Sequence, residues 1–415
     1  MMIEQMKPSG IDWIKDIPYS WHTNKVKYLA TESGTLFLDG DWIESDVIEE
    51  SGIRYLTTGN VGAGYYKEQG SGYISEKTFS DLHCLKVYPG DLMISRLNEP
   101  IGRACIVPEG EDFYVVAVDN VILRPNKAYN KKFIMYAMNT EGYAEHGNMI
   151  ARGATMSRVS RSQLGQFWIA APNLSEQTAI AEFLDVQCSK LDSIIADLEK
   201  QIDTLQKYKK SLITETVTKG LDKSVPMKDS GIEWIGQIPE HWTAKRLKYI
   251  MSVSSGDALT NEDLGDGDYP VFGGGKQMGW NDRCNVRENT ILIGRVGANC
   301  GCVSITNSDS WATDNALIVR TKDYPKYVYY ILQAANLNRL NEANAQPLIT
   351  GYKVGNCVIS YVDDREEQKN IANYLDDICI NLDYILAQKQ QQLETIIQHR
   401  KSLIYEYVTG KKRVM

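Results

Sequence analysis

SEQTAIAEFLDVQCSKLDSIIADLEKQIDTLQKYKKSLITETVT, residues 175–218, is the stretch from which the architecture follows. Leu184, Leu191, Leu198, Leu205 and Leu212 are spaced by seven, and Cys188, Ile195 and Ile202 fill the alternate seam. Apolar residues at a and d positions over this many heptads predict a coiled-coil helix. At 1.5 Å per residue it would be roughly 65 Å long. Asn173, Ser175 and Glu176 supply capping groups and an acid for its first turn, and Gly220 closes it.

The same pattern returns at an offset of 191 in EEQKNIANYLDDICINLDYILAQKQQQLETIIQHRKSLIYEYVT, residues 366–409. There Leu375, Leu382, Ile396 and Leu403 hold one seam, Cys379, Leu386 and Leu393 hold the other, and Gly410 ends the run. Lys209, Lys389 and Arg400 interrupt the seams, as register-setting residues do. Working outward, KPSGIDWIKDIPYSWHTNKVKYL (7–29) matches KDSGIEWIGQIPEHWTAKRLKYI (228–250) at an offset of 221. LMISRLNEPIG (92–102) matches ILIGRVGANCG (291–301) at 199, and Asp119-Asn120 aligns with Asp314-Asn315 at 195. Matches in the same order define a tandem duplication with a shorter second middle.

Each middle consists of short β-branched runs punctuated by Gly, Asn, Asp and Pro: YLTTGNVGAGYY (55–66) and VVAVDNVILRP (115–125), then YPVFGGGKQMGW (269–280) and NTILIGRVG (289–297). These are strand and hairpin signals. The expected fold class is α+β: two tandem recognition modules with twisted antiparallel β cores, separated by two long helices that pair as an antiparallel coiled coil with a pseudo-twofold internal repeat. The boundaries drawn are 1–172 for the first module, 173–222 for the central helix, 223–362 for the second module and 363–415 for the C-terminal helix. Trp13, Pro18 and Trp21, with Trp234, Pro239 and Trp242, are expected to pack the modules onto the helix ends.

The 415 residues are 43% hydrophobic and 24% charged, a globular composition with room for two or three cores. Eight scattered cysteines fit a reducing compartment, and no apolar run reaches a membrane span, so a cytoplasmic location is expected. With 45 basic against 53 acidic residues the net charge is −8, which argues against a uniformly basic nucleic-acid surface. Catalytic signatures are missing. GGGKQ (273–277) lacks P-loop spacing, Gly59–Gly64 has no surrounding βαβ unit, and Cys284, Cys300 and Cys302 have no histidine-rich partner for zinc. His22, His83, His146, His241 and His399 show no nucleophile–base spacing, and no methyltransferase motif occurs. The sequence therefore predicts a non-catalytic chain with no metal or cofactor of its own.

The repeated SGIxWIxxIPxxW segments, the MISR/LIGR strand pairs and the EQxxIAxxLD…KSLIxExVT helices together resemble the specificity (S) subunit of type I restriction–modification systems, over essentially the whole chain. That resemblance implies a bacterial or archaeal protein whose two modules each read half of a bipartite, asymmetric site in double-stranded DNA. It implies two methyltransferase (M) subunits carrying S-adenosylmethionine and methylating adenine. It also implies two motor-nuclease (R) subunits using ATP and magnesium to translocate and cleave. The helices would act as a ruler between readers, since duplex DNA repeats about every 34–36 Å. A rival reading is a non-enzymatic coiled-coil scaffold with two ligand-binding α+β modules.

Between Glu145 and Glu176 no acid occurs, while Arg152, Arg158 and Arg161 lie in GNMIARGATMSRVSRSQ with Thr155 and serines interleaved. Guanidiniums and hydroxyls in that pattern suit phosphate contact. The corresponding NAQPLITGYKVGN (344–356) keeps only Lys353. Base reading requires donors and acceptors on projecting loops, for which Asn60 and Lys67 are candidates in the first module and Lys276 and Gln277 in the second. Arg96 and Arg295 recur at one repeat position. Ile180, Phe183, Ile371 and Tyr374, beyond the seams, are candidates for a protein-partner surface.

Overall fold

The computed structural model describes residues 5–69, 72–98, 100–152, 157–260, 264–341 and 348–414. The chain divides into two compact units, Met1–Asp197 with Gln392–Met415, and Leu198–Gln391. In the first unit the strands of the main sheet and of the strand pair beside it are β1 (His22–Lys25), β2 (Leu36–Asp39), β3 (Leu92–Ser95), β4 (Ala104–Ile106), β5 (Asn120–Arg124) and β6 (Trp168–Ala171). The helices that bear on the site are α1 (Lys131–Met138), α2 (Arg161–Leu164) and the start of α3 (Leu174–Lys219), and further helices span Glu76–Asp81 and Glu141–Ile150. A four-stranded antiparallel sheet runs β2-β5-β3-β4, and β6 pairs separately with β1.

The second unit repeats this plan. It contains β7 (Thr243–Arg246), β8 (Met251–Ser255), β9 (Tyr269–Gly273), β10 (Lys276–Asn281), β11 (Ile291–Gly294), β12 (Val303–Ile305), β13 (Ala316–Thr321) and β14 (Val358–Tyr361). Its helices are α4 (Pro325–Ala334), α5 (Gly351–Asn356) and the start of α6 (Arg365–Val408). The sheet order β8-β13-β11-β12 and the pair β7-β14 match the first unit strand for strand.

Strand β3 is buried along its whole length, which explains why Leu92, Met93 and Ile94 are apolar in succession instead of alternating with polar residues. Side chains of successive strand residues point to opposite faces. Leu92 and Ile94 therefore join Val121 and Leu123 in the large core beneath α1 and α3, while Met93 joins Cys105 and Ile122 in a smaller core on the other face. The second unit divides the same way, with Ile291, Ile293, Leu317 and Val319 on one side and Leu292 and Ile318 on the other.

Both long helices form as their periodicity predicts. In α3, Leu184, Cys188 and Leu198 are buried and Leu191, Ile195, Ile202, Leu205 and Leu212 half-buried; in α6, Leu375, Cys379, Leu382 and Leu393 are buried and Leu386, Ile396 and Leu403 half-buried. Asn173 and Asp364 side chains accept from the backbone N–H of Glu176 and Glu366, capping the first turns. Gly220 and Gly410 adopt positive φ at the far ends. Two of the seam cations are paired: Arg400 Nε lies 2.6 Å from Asp192 in the first unit, and Lys209 Nζ lies 2.6 Å from Asp383 in the second.

Within the first unit Asp192 meets Arg400, Phe183 packs on Tyr407, and Glu176 meets Arg413, so the two helical segments run antiparallel. In the second unit Lys209 meets Asp383 and Gly220 lies against Glu367, the same sense. The tryptophan segments sit at the helix ends. A Cβ on Gly410 would lie 2.4 Å from Pro18 Cδ and 3.3 Å from Trp21, and one on Gly220 would lie 3.3 Å from Trp242. Of the residues expected on a partner face, Ile180 and Ile371 are fully buried in the unit cores and Phe183 is covered by Tyr407; only Tyr374 is exposed. Ile180 and Ile371 belong to the packing of helix on module, because the module covers the first turns of each helix.

Candidate nucleic-acid interface

Arg96 follows β3 directly and points across the sheet edge. Its backbone N–H donates to Asp119 O at 2.9 Å, and its Nη2 donates to Val118 O at 2.7 Å. The guanidinium also lies 3.5 Å from Asp39 and 3.4 Å from Asp119, with the side chain only 12% exposed. Each of those carboxylates is shared with an outer arginine. Arg161 Nε is 3.5 Å from Asp39 Oδ2, and Arg158 Nη1 is 3.9 Å from Asp119 Oδ1.

Two local features hold the outer arginines in place. Ser160 caps α2 with a reciprocal Gln163 bond, which fixes Arg161 at the helix start. Arg152 and Arg158 exchange backbone hydrogen bonds of 3.1 Å, which ties the two residues together. A depression of about 520 Å³ opens here, lined in part by Lys27, Asp39, Arg96, Ser160, Arg161 and Gln166. Arg152 and Arg158 are exposed, so the Arg-rich segment does present charge outward. Thr155, placed among the phosphate contacts by sequence, lies outside the described residues.

The equivalent place in the second unit is built on Arg295, whose N–H donates to Asn315 O at 3.0 Å. Val159 N–H donates to Arg96 O, and Ile349 N–H to Arg295 O. Strand register places Asp39 opposite Val121 and Ser255 opposite Leu317. The structural counterpart of Asp119 is therefore Asn315, that of Asp39 is Ser255, and those of Arg158 and Arg161 are Leu348 and Gly351. This corrects the sequence alignment of Asp119 with Asp314 by one residue. Arg295 Nη1 lies 3.4 Å from Ser255 Oγ and 3.5 Å from Asp314 O, its nearest polar partners among the described residues.

The remaining candidates separate. Asn60 is 1% exposed and its amide is used internally: Oδ1 accepts from Thr57 N–H at 2.8 Å, and Nδ2 donates to Lys67 O and Gln69 O. It folds its loop and offers no edge to a base, so it is not the base reader that its place in a Gly-rich turn suggested. Arg96 is likewise a buried organiser more than a contact residue. Lys67 is half-buried, with Nζ 5.8 Å from the Tyr65 ring centroid. Lys276 and Gln277 are exposed on β10, immediately after Gly274 and Gly275, whose positive φ values turn the β9–β10 hairpin. Lys353 Nζ lies 3.4 Å from Leu340 O and its N–H donates to the Thr350 cap of α5, which ties it to the fold.

Sequence reading missed the carboxylates Asp39 and Asp119, and also Arg103. Arg103 is 8% exposed and donates to the carbonyls of Val61, Leu97, Pro100 and Thr58, bracing two loops beside β4. Burial pushes its pKa down. It missed Gln177 as well, whose amide bonds Asn130 N–H, Ala128 O and Pro172 O and is matched by Gln368 on Tyr324 N–H and Val362 O. The recurrence of EQ at both helix starts was the available signal.

Two copies of one α+β module, each with an arginine at the same sheet edge and each completed by long-helix segments, define a tandem recognition protein. The chain belongs to the family described as type I restriction modification DNA specificity domain, whose model matches residues 37–205 and 239–395, once per copy. It is the DNA-specificity chain of such a system and not its catalyst, and the scaffold reading is not favoured. Among similar proteins, the "Putative type I restriction enzyme MjaX specificity subunit" of Methanocaldococcus jannaschii is 26% identical over 83% of this chain and 83% of its own length. The type I restriction enzyme EcoBI specificity subunit of Escherichia coli is 28% identical over 62% of this chain and 56% of its own. A chain solved in work on complex assembly and conformational transition of the type I R-M system superposes with a TM-score of 0.69 at 13% identity. That superposition covers 95% of this chain and 99% of the other, and shows a shared fold. No helix among the described residues is long and apolar enough to cross a membrane.

Proposed function

We propose that this chain reads a bipartite, asymmetric DNA site, one half-site per unit, and directs adenine methylation by two M subunits and cleavage by two R subunits. The carrying observation is that the DNA-specificity family matches the chain twice, in copies with the same strand order but different exposed residues at the equivalent sheet edge. Shared frame with divergent surface is what two readers of different sequences require. In the first unit Arg152, Arg158 and Arg161 supply phosphate contacts; in the second, Lys276 and Gln277 on the β9–β10 hairpin are the groups placed to reach base edges. S-adenosylmethionine, ATP and magnesium belong on this reading to the partner subunits, in the cytoplasm of a bacterium or archaeon. Methylome sequencing of cells expressing the M subunit with and without this chain tests it. A new bipartite methyladenine motif is expected; its absence with every partner expressed contradicts the proposal.

A further inference from the structure

We propose that Asp39 and Asp119 are specificity-determining residues that hold down the charge of the first unit's Arg96–Arg158–Arg161 cluster, so that the unit does not grip DNA regardless of sequence. The inference rests on the reading of this face as a DNA contact.

The two units differ at this place as a set. The first has three guanidiniums and two carboxylates joined in a chain, Arg161–Asp39–Arg96–Asp119–Arg158, by contacts of 3.4–3.9 Å. The second has Arg295 with Ser255 beside it, and Asn315, Leu348 and Gly351 at the other equivalent positions. Both arrangements leave one uncompensated positive charge. Where the first unit has two additional arginines it also has two carboxylates, and where the second lacks the arginines it lacks the carboxylates too.

The geometry favours restraint over construction. Arg96 has backbone partners of its own in Val118 O and the Asp119 peptide, so the fold does not need both carboxylates to seat it. The outer contacts, at 3.5 and 3.9 Å, are loose, and Arg158 and Arg161 are 63% and 38% exposed. Exposed pairs of this kind contribute little to stability. Their effect on a polyanion is larger, because each uncompensated cation that meets a phosphate adds about 0.9 to the salt slope of binding. Removing both carboxylates would convert a singly charged cluster into a triply charged one. Affinity for any duplex would then rise while base discrimination stayed the same, so the ratio of specific to non-specific binding would fall.

The test measures the salt dependence of full-length chain, bound to its M partners, on a mixed-sequence duplex and on the motif duplex. The double variant D39N/D119N is expected to steepen the mixed-sequence slope by about 0.9–1.8 and to bind that duplex roughly tenfold more tightly at moderate salt. D39E/D119E, which keeps the charge, should restore the original slope. In the second unit S255D, placing a carboxylate beside Arg295, should make the slope shallower by about 0.9. A D39N/D119N protein with wild-type melting and an unchanged or shallower slope overturns the inference, as does an S255D slope equal to wild type. If the wild-type complex binds no duplex in a salt-dependent way, the underlying reading of function falls, and the inference with it.

Discussion

The phenol of Tyr136 in α1 donates to Asp185 in α3 across 2.9 Å, with the Lys132 ammonium 2.5 Å from the same carboxylate. Tyr330 and Lys326 of α4 hold Asp376 of α6 in the same way, at 2.7 and 2.5 Å. Each module is thus fastened to its own long-helix segment by one carboxylate. A hydrogen bond to a charged group contributes about 1.5–3 kcal/mol. Y136F should lower the stability of the first unit by that order and Y330F that of the second. Urea denaturation followed by amide exchange in each unit checks which one loosens.

Arg103 is fixed by four carbonyls that a lysine cannot reach together, since its ammonium lacks the planar fork. R103K should cost about 1–3 kcal/mol and speed amide exchange in residues 57–61 and 102–104. Cys302 stands at the equivalent backbone position, where Gly294 N–H bonds its carbonyl as Ser95 N–H bonds that of Arg103. C302S should leave exchange in the second unit unchanged.

Leu184 is fully buried and Leu205 half-buried on the same seam. Leu184→Ala opens a cavity in the first unit's main core and should cost about 2–5 kcal/mol. Leu205→Ala, already wetted, should cost clearly less. Equal losses in calorimetric unfolding would contradict the burial assigned to them.

Burial holds Tyr136, Tyr143, Tyr327 and Tyr330 protonated well above the ordinary tyrosine value of 10.0. In the unfolded chain the same phenols ionise near that value. Their stabilising effect is complete below about pH 10 and is lost as pH rises beyond it, because the unfolded state releases its protons first. Melting temperature should fall as pH rises above about 10, and Y143F should flatten that fall.

Helix α3 continues unbroken from the first unit into the second, over Leu174–Lys219. If the helices act as the ruler, inserting one turn within 190–210 should change the length of the unspecified spacer and leave both half-site sequences intact. Mapping methylated motifs for the insertion variant reads this directly; a fixed spacer contradicts the ruler.

The helices were legible because a heptad reports its own burial: Leu184, Cys188 and Leu191 are inward for the same reason they are spaced by seven and four. The strands were legible from their apolar runs. The site was less so. Asn60 sits in a Gly-rich turn that looks like a reading loop, yet its amide is consumed by backbone groups seven and nine residues away. The identity of Asp119-Asn120 with Asp314-Asn315 suggested a register that the backbone shifts by one, since hydrogen bonding at Arg96 and Arg295, not residue identity, defines equivalence. Asp39 escaped notice because it is far in sequence from Arg161 and meets it only through the sheet order β2-β5-β3.

The first unit is built from residues on both sides of the second: its wall includes 392–408 of α6, where Ile404 and Val408 enter the core beside Trp21 and Leu184. The second unit is a single uninterrupted stretch, Leu198–Gln391. During synthesis, then, the amino-terminal module emerges first but is finished last. Its apolar flank stays open until Ile404 and Val408 of the final helix dock on it. A chain released early, near residue 391, would leave the later module whole and the earlier one exposed to aggregation and proteolysis.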